Sequence, residues 1–361
     1  MHTVVDLFAG CGGGSMGFEK AGFKTLAAVE IDPDAAAAFA LNVGVQPLVK
    51  DIRDVSVEEL SAAGVKPGEL TLLFGCPPCQ SFTVLRRGTK TTDDDLRRNS
   101  LIFEYLRLVE ALKPRHIAFE NVPGLVEGRW SQYFEIFRQK LGELGYSIAW
   151  EVVDAADYGV PQRRRRVLVI GSRVALPELP ERTHGTDGDK KPHTTVRDAI
   201  SHLRRLGSGG VDPGDPFHKA RRHSELARRR LEHIPEGGSR LDLPEELVLE
   251  CHKNHRGHYD IYGRMWWDRV APTLTSGCTN VTRGRFAHPE QNRAISLREA
   301  MLLQTFPPAA RLRGTADTMA LQVGNAVPSL LAERIAQKII EMEQQSTPGL
   351  GNSSHRPSFA E

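Results

Sequence analysis

"TVVDLFAGCGGGSMGF", Thr3 to Phe18, decides how the rest of the chain is read. Thr3 to Phe8 has strand character and runs straight into a glycine-rich turn, then into a helical pattern that ends near Gly22. Such a turn lets a ligand approach the backbone at a helix N-terminus, where unpaired N–H groups point outward. Gly10, Gly12, Gly13, Gly14 and Gly17 supply the backbone freedom for that approach. The next apolar run, "KTLAAVE", ends on Glu30, followed by Ile31, where an acid can accept bonds from ribose hydroxyls. Asp51, closing "QPLVKD" ahead of Ile52, is placed to reach an adenine amino group. These positions describe an adenosine-containing cofactor lying across strand ends. They do not separate NAD from S-adenosylmethionine, and a tight turn beside a structural acid is the competing reading.

Outward from this stretch the same alternation continues. "TLLFG", "HIAFEN", "SIAWEVV" and "RRVLVIGS" read as further strands, and Asp32 and Pro33 open a helix over "DPDAAAAFALN". Helical stretches at Ser100 to Leu112 and Ser131 to Leu144 separate the later strands. Strands alternating with helices predict an α/β fold with a mostly parallel, doubly wound sheet. After Ser172 the pattern breaks into Pro-, Gly-, His- and Arg-rich sequence, with weak periodicity to about Gly263. Helical order returns at Ser296 to Phe306 and at Ser329 to Gln345. The boundaries expected are 1–172 plus 320–345 for the first domain and 173–292 for a smaller, irregular one. Residues 293–319 would connect them, and 346–361 would form a disordered tail.

Composition narrows the class. Of 361 residues, 40% are hydrophobic and 25% charged, as in soluble globular proteins, and no apolar run approaches a membrane span. Five scattered cysteines without an export signal read as reduced thiols, which places the chain in the cytoplasm. Net charge is only +2, so bulk charge announces no nucleic acid. Basic residues do cluster at Gln162 to Arg166 and at His218 to Arg230, where solvated faces are the ordinary outcome.

Three strand ends carry candidate chemistry. In "LLFGCPPCQSFT" the prolines at 77 and 78 stiffen the exit from a strand and hold Cys79 at the sheet edge, where a thiol suits a nucleophile. A redox pair with Cys76, half a zinc site and a buried thiol remain open on this motif alone. "ENVPG" adds Glu120, an acid at a neighbouring strand end. "YGVPQRRRRV" puts Gln162, Arg164 and Arg166 on one face of an extended segment and Arg163 and Arg165 on the other.

"DLFAGCGGG", "GCPPCQSF", "ENVPG", "QRRRR", "RAISLREAMLLQTFP" and "QVGNAVP", in that order, resemble the motif series of the C5-cytosine DNA methyltransferases. They span nearly the whole chain apart from the irregular middle and the tail. The resemblance implies a Rossmann-like S-adenosylmethionine-dependent methyltransferase fold and a target-recognition domain. It also implies S-adenosylmethionine as methyl donor, double-stranded DNA as partner and a flipped cytosine as substrate. By position, Cys79 matches the family's nucleophile and Glu120 the acid at the cytosine N3 edge. Arg164 and Arg166 match the arginines that hold the base and its phosphate. Phe8, Ala9, Gly10, Glu30, Asp51, Ile52, Pro78, Leu101, Asn325 and Val327, with Cys11, Gly12, Gly13, Ile31 and Ala326 beside them, fall at cofactor positions. Gln80, Ser81, Arg86, Arg87, Gln162, Arg163 and Arg165 are expected to touch DNA. Thr83 departs from the serine of many DNA enzymes and is shared with the tRNA-methylating branch, whereas the arginine run is like the DNA branch. A cognate restriction endonuclease acting on the same site and a monomeric state complete what the resemblance implies. A non-catalytic cofactor-binding regulator is the alternative from another class.

Two features fall outside the series. "CHKNHRGHYD" offers Cys251, His252, His255 and His258, but their spacing matches no zinc pattern, and a polar loop with Arg256 near phosphates is preferred. "MWWD" (Met265 to Asp268) reads as packing rather than base stacking.

Overall fold

The computed structural model describes residues 1–78, 100–253 and 257–346. Cys79, Gln80, Ser81, Thr83, Arg86, Arg87, His255 and Arg256, and residues 347–361 of the expected tail, lie outside the described residues. Seven strands form one sheet: β1 (His2–Leu7), β2 (Phe23–Glu30), β3 (Leu48–Val49), β4 (Leu72–Gly75), β5 (His116–Asn121), β6 (Ser147–Asp154) and β7 (Arg165–Ser172). Their order is β3-β2-β1-β4-β5-β7-β6. The first five pair in parallel, while β7 runs antiparallel to both β5 and β6.

Alternation along each strand explains the two-sided core. Val5 and Leu7 of β1, Leu73 of β4 and Ile117 and Phe119 of β5 face α4 (Leu101–Leu112) and α5 (Ser131–Glu143), packing with Tyr105 and Phe137. Val4, Leu72, Phe74 and Ala118 face the other way, against Phe18 of α1 (Gly13–Lys20) and Ile335 of α11 (Ser329–Ser346). Chain order thus returns the last helix to the first: a Cβ at Gly17 would meet the Ser329 carbonyl at 2.1 Å. Only glycine permits that approach. At the next strand end Asp32 caps α2 (Pro33–Val43), accepting from the Ala35 amide at 2.8 Å with proline in the first turn. Asp51 does not end a strand as expected. The strand stops at Val49, and Asp51 caps a short turn over Ile52–Asp54 that leads into α3 (Val57–Ala62).

Beyond Ser172, regular structure is sparse: α6 (Val196–Ile200), the ribbon β8 (Val211–Asp212) and β9 (Asp215–Lys219), α7 (Glu225–His233) and α8 (Glu250–Lys253). Regular helices resume at α9 (Leu297–Leu303) and α10 (Ala316–Asn325). The boundary expected between 319 and 320 falls inside α10, whose N-cap is Thr315. Among the described residues no helix is long and apolar enough to cross a membrane.

Candidate active site

A cavity of about 340 Å³ opens at the C-terminal ends of the parallel strands. Its near wall is the turn after β1. Phe8 and Gly10 both take left-handed backbone, with φ of 61° and 54°, and Ala9 lies between them. Glu30 fixes this turn, because its Oε2 accepts from the Gly10 amide at 2.7 Å and its Oε1 from the Asp32 amide at 2.8 Å. Burial raises the Glu30 carboxyl pKa, and these backbone bonds oppose the shift. Ile31, Asp51 and Ile52 continue the lining, and Pro78 and Leu101 lie on it too. Asp51 is paired with Arg53 at 2.9 Å. Asn325, Ala326 and Val327 line it from the end of α10.

Cys11, Gly12 and Gly13 do not line it as expected. The chain turns them into helix packing. Cys11 is buried with its Sγ 3.8 Å from the Gln322 carbonyl. A Cβ at Gly12 would press on Phe39 and Val43, and one at Gly13 would meet the Val327 carbonyl at 2.6 Å.

Antiparallel β7 completes the site. Its register sets Glu120 opposite Leu168 and Asn121 opposite Val167, so the start of β7 meets the end of β5. Arg166 Nε therefore lies 2.9 Å from Glu120 Oε1, and the Cys76 thiol lies 2.9 Å from Oε2. Arg164, also on the cavity wall, is buried, and its Nη1 donates to the carbonyls of Gly324 (3.2 Å) and Leu274 (3.4 Å). The expected alternation holds, for Gln162 and Arg164 are buried while Arg163 and Arg165 are exposed. Arg163 pairs with Asp154 at 3.2 Å.

Gln162 is not placed to touch DNA. It is fully buried, donating to Gln304 Oε1 at 3.0 Å and the Leu303 carbonyl at 3.3 Å, and accepting from the Leu274 amide at 2.9 Å. Its amide is a joint between β7 and the segments at 274 and 303. Sequence reasoning also missed Asp6, which lines the cavity and is 1% exposed. Ser15 donates to its Oδ2 at 2.6 Å, and its Oδ1 has no hydrogen-bond partner among the described residues. Burial pushes the carboxyl up to about 7 despite that bond. An acid inside the apolar run "TVVDLF" was the available signal. Among the described residues no group of three or more His, Cys, Asp and Glu could hold a metal ion.

The family model described as "C-5 cytosine-specific DNA methylase" matches residues 2–341. The chain is 39% identical to the type II methylase M.HgiDII of Herpetosiphon aurantiacus over 345 residues, covering 93% of this chain and 94% of that protein. It is 33% identical to the type II methyltransferase M1.HphI of Haemophilus parahaemolyticus, covering 94% and 87%. In three dimensions it is similar to a protein encoded within an E. coli prophage, with a TM-score of 0.72 at 23% identity, over 95% of this chain and 100% of that one. A sheet whose strand ends gather the glycine turn, Glu30, Glu120 and Arg166 is thus matched along almost its whole length, and the chain belongs to the C-5 cytosine-specific DNA methylase family.

Proposed function

We propose that this chain transfers a methyl group from S-adenosylmethionine to C5 of a cytosine rotated out of duplex DNA, through a bond between Cys79 and C6. The observation that carries this reading is the single cavity that joins the Gly10–Glu30 turn to the Glu120–Arg166 pair. One end suits an adenosine and the other a polar base edge.

The donor set fits the cofactor. Ile31 and Leu321 are large apolar side chains left 62% and 36% exposed on the cavity lining, as an adenine slot requires. The carboxylate of Glu30 suits ribose hydroxyls, and the Asp6 oxygen that has no partner among the described residues suits a cation. Phe8, Ala9, Gly10, Asp51, Ile52, Pro78, Leu101, Asn325, Ala326 and Val327 would hold the remainder. When bound, S-adenosylmethionine supplies an electrophilic methyl group.

The chain's residues then act on the base. Cytosine C5 is a poor nucleophile. Attack of the Cys79 thiolate forms an S–C6 bond and moves the C5=C6 electron pair onto C5, while Glu120 gives a proton to N3. C5 takes the methyl group. Loss of the C5 proton to a water re-forms the double bond, the S–C6 bond breaks, and the N3 proton returns to Glu120. Arg166 holds the Glu120 side chain, and Arg164 ties the cavity wall to the segments at 274 and 324. Extruding the base costs a few kcal/mol, offset by phosphate contacts from residues such as Arg163 and Arg165. Residues 173–292 are assigned to choosing the sequence, and the rest to the chemistry. Bisulfite sequencing of host DNA after expression tests the reading. Protected cytosines at one recurring sequence are expected; a folded, expressed protein that protects none contradicts it.

A further inference from the structure

Glu120 is gripped on both oxygens, and the two contacts differ in kind. Oε1 lies 2.9 Å from Arg166 Nε, close enough for an ion pair, yet it has no aligned hydrogen bond among the described residues. Oε2 accepts from the Cys76 thiol at 2.9 Å. Arg166 spends an Nη1 hydrogen on the Arg165 carbonyl at 2.7 Å. The carboxylate is only 2% exposed and lines the cavity.

The placement of the thiol is fixed by the sheet. Parallel register sets Gly75 opposite Phe119, so Cys76 follows β4 just where Glu120 follows Phe119 on β5. A Cβ at Gly75 would meet the Tyr105 ring at 2.5 Å, so the backbone there is pressed against the core. One residue further on, Asn121 Nδ2 donates to the Pro77 carbonyl at 3.3 Å and ties the two strand ends together.

We propose that Cys76 is a positioning residue for methyl transfer: its thiol holds Glu120 Oε2 while Arg166 keeps to Oε1, which fixes one orientation of the carboxyl group toward the target base. This rests on the functional reading above. An arginine guanidinium readily takes both oxygens of a carboxylate in a fork. With the thiol on Oε2, Arg166 is confined to the other oxygen. Without it, the carboxylate can turn into a two-point pair with Arg166 and withdraw both oxygens from the base. C-x-x-C in this chain then has two separate duties, and Cys76 acts through Glu120 without bonding to substrate.

The test compares Cys76→Ala with Cys76→Ser in steady-state methylation of duplex DNA. Removing one hydrogen bond from a carboxyl that works in the transition state is expected to lower kcat roughly 3- to 10-fold. KM for DNA and for cofactor should stay unchanged. Serine keeps a donor at the same place, and its kcat should lie within about twofold of wild type, since little transition-state stabilisation is lost. Thermal melts check folding, and the isosteric pair Cys76→Val and Cys76→Thr poses the same question if the alanine variant is unstable. An alanine variant at the wild-type rate, or a serine variant as slow as alanine, overturns the inference while leaving the function standing. A wild-type protein that forms no 5-methylcytosine overturns the functional reading and this inference with it.

Discussion

Residues 2–172 pair their backbone through a seven-stranded ladder with apolar side chains on both faces. Between 173 and 292, strand pairing shrinks to the β8–β9 ribbon and isolated bridges, and arginine side chains bond the carbonyls instead. Arg264 is the clearest case. It is 4% exposed and donates to the carbonyls of Ile234, Leu231, His288 and Gln291, at 2.6 to 2.8 Å. Arg285 bonds the carbonyls of Gly237, Gly238 and Arg264, and Arg240 those of Gly257 and His258. The guanidinium groups of Arg269 and Arg285 lie 4.6 and 4.5 Å from the centre of the Trp266 ring. A loop-rich region still has to satisfy its buried carbonyls, and a five-donor fork can serve several at once. Arginines that count as basic charge in the sequence are here internal cross-links.

If chemistry belongs to the sheet half, the largest effect should come from a change there that leaves packing alone. Glu120→Gln keeps the shape but supplies no proton, and kcat should fall by roughly 10²- to 10⁴-fold in a variant that thermal melts show to be folded at the assay temperature. Near-normal turnover in a steady-state assay would show that another group protonates N3 and would break the division. The reverse change sharpens it. Arg264→Ala strands four carbonyls, and burial already holds that guanidinium pKa at about 10, still charged at neutral pH. A stability loss on the order of 4 kcal/mol is expected, read by thermal melts, while calorimetric titration should still find cofactor binding. Parallel loss of both would mean that the halves do not behave separately.

How legible each half was follows from the same contrast. The central strands of the sheet are legible because strands buried on both faces are continuous apolar runs such as "TVVDLF" and "TLLFG", whereas the edge strands β3 and β6 are partly exposed. Glu30, Glu120 and Arg166 stood out as polar residues at the ends of such runs. Alternation told which way Gln162 points, but not that Leu274 and Gln304 wait there, since those partners lie more than a hundred positions along the chain. The glycine turn was visible as a turn, yet its division into a cavity wall (Gly10) and a packing seam (Gly12, Gly13, Gly17) depends on α2 and on the return of α10 and α11. In the irregular half, no periodicity separates an arginine that bonds carbonyls from one that faces solvent.

A smaller effect concerns the buried acid of the sheet half. Burial raises the pKa of Asp6 from the ordinary aspartate value of 3.8 to about 7 in the folded protein. The folded state therefore holds the proton more tightly than the unfolded chain, and this stabilising contribution is full below about 3.8 and lost as pH rises through about 7. Cofactor-free protein should lose stability over that window, and Asp6→Asn should flatten the dependence. Denaturant melts at several pH values read it; identical slopes for the two proteins would show that Asp6 is not held protonated.

The central claim is that this sheet edge carries covalent chemistry on cytosine, and 5-fluorocytosine at the target position of a DNA duplex tests it most directly. Cys79 can attack C6 and the methyl group can reach C5, but fluorine cannot leave as a cation, so elimination stalls. The predicted result is a denaturant-resistant adduct of protein and one DNA strand that requires S-adenosylmethionine. It should be lost in Cys79→Ser and map by mass spectrometry to the peptide containing "GCPPCQSF". An adduct on a tRNA carrying the same base and none on the duplex would contradict the DNA assignment, and no adduct on either, with bound cofactor verified, would contradict the covalent mechanism itself.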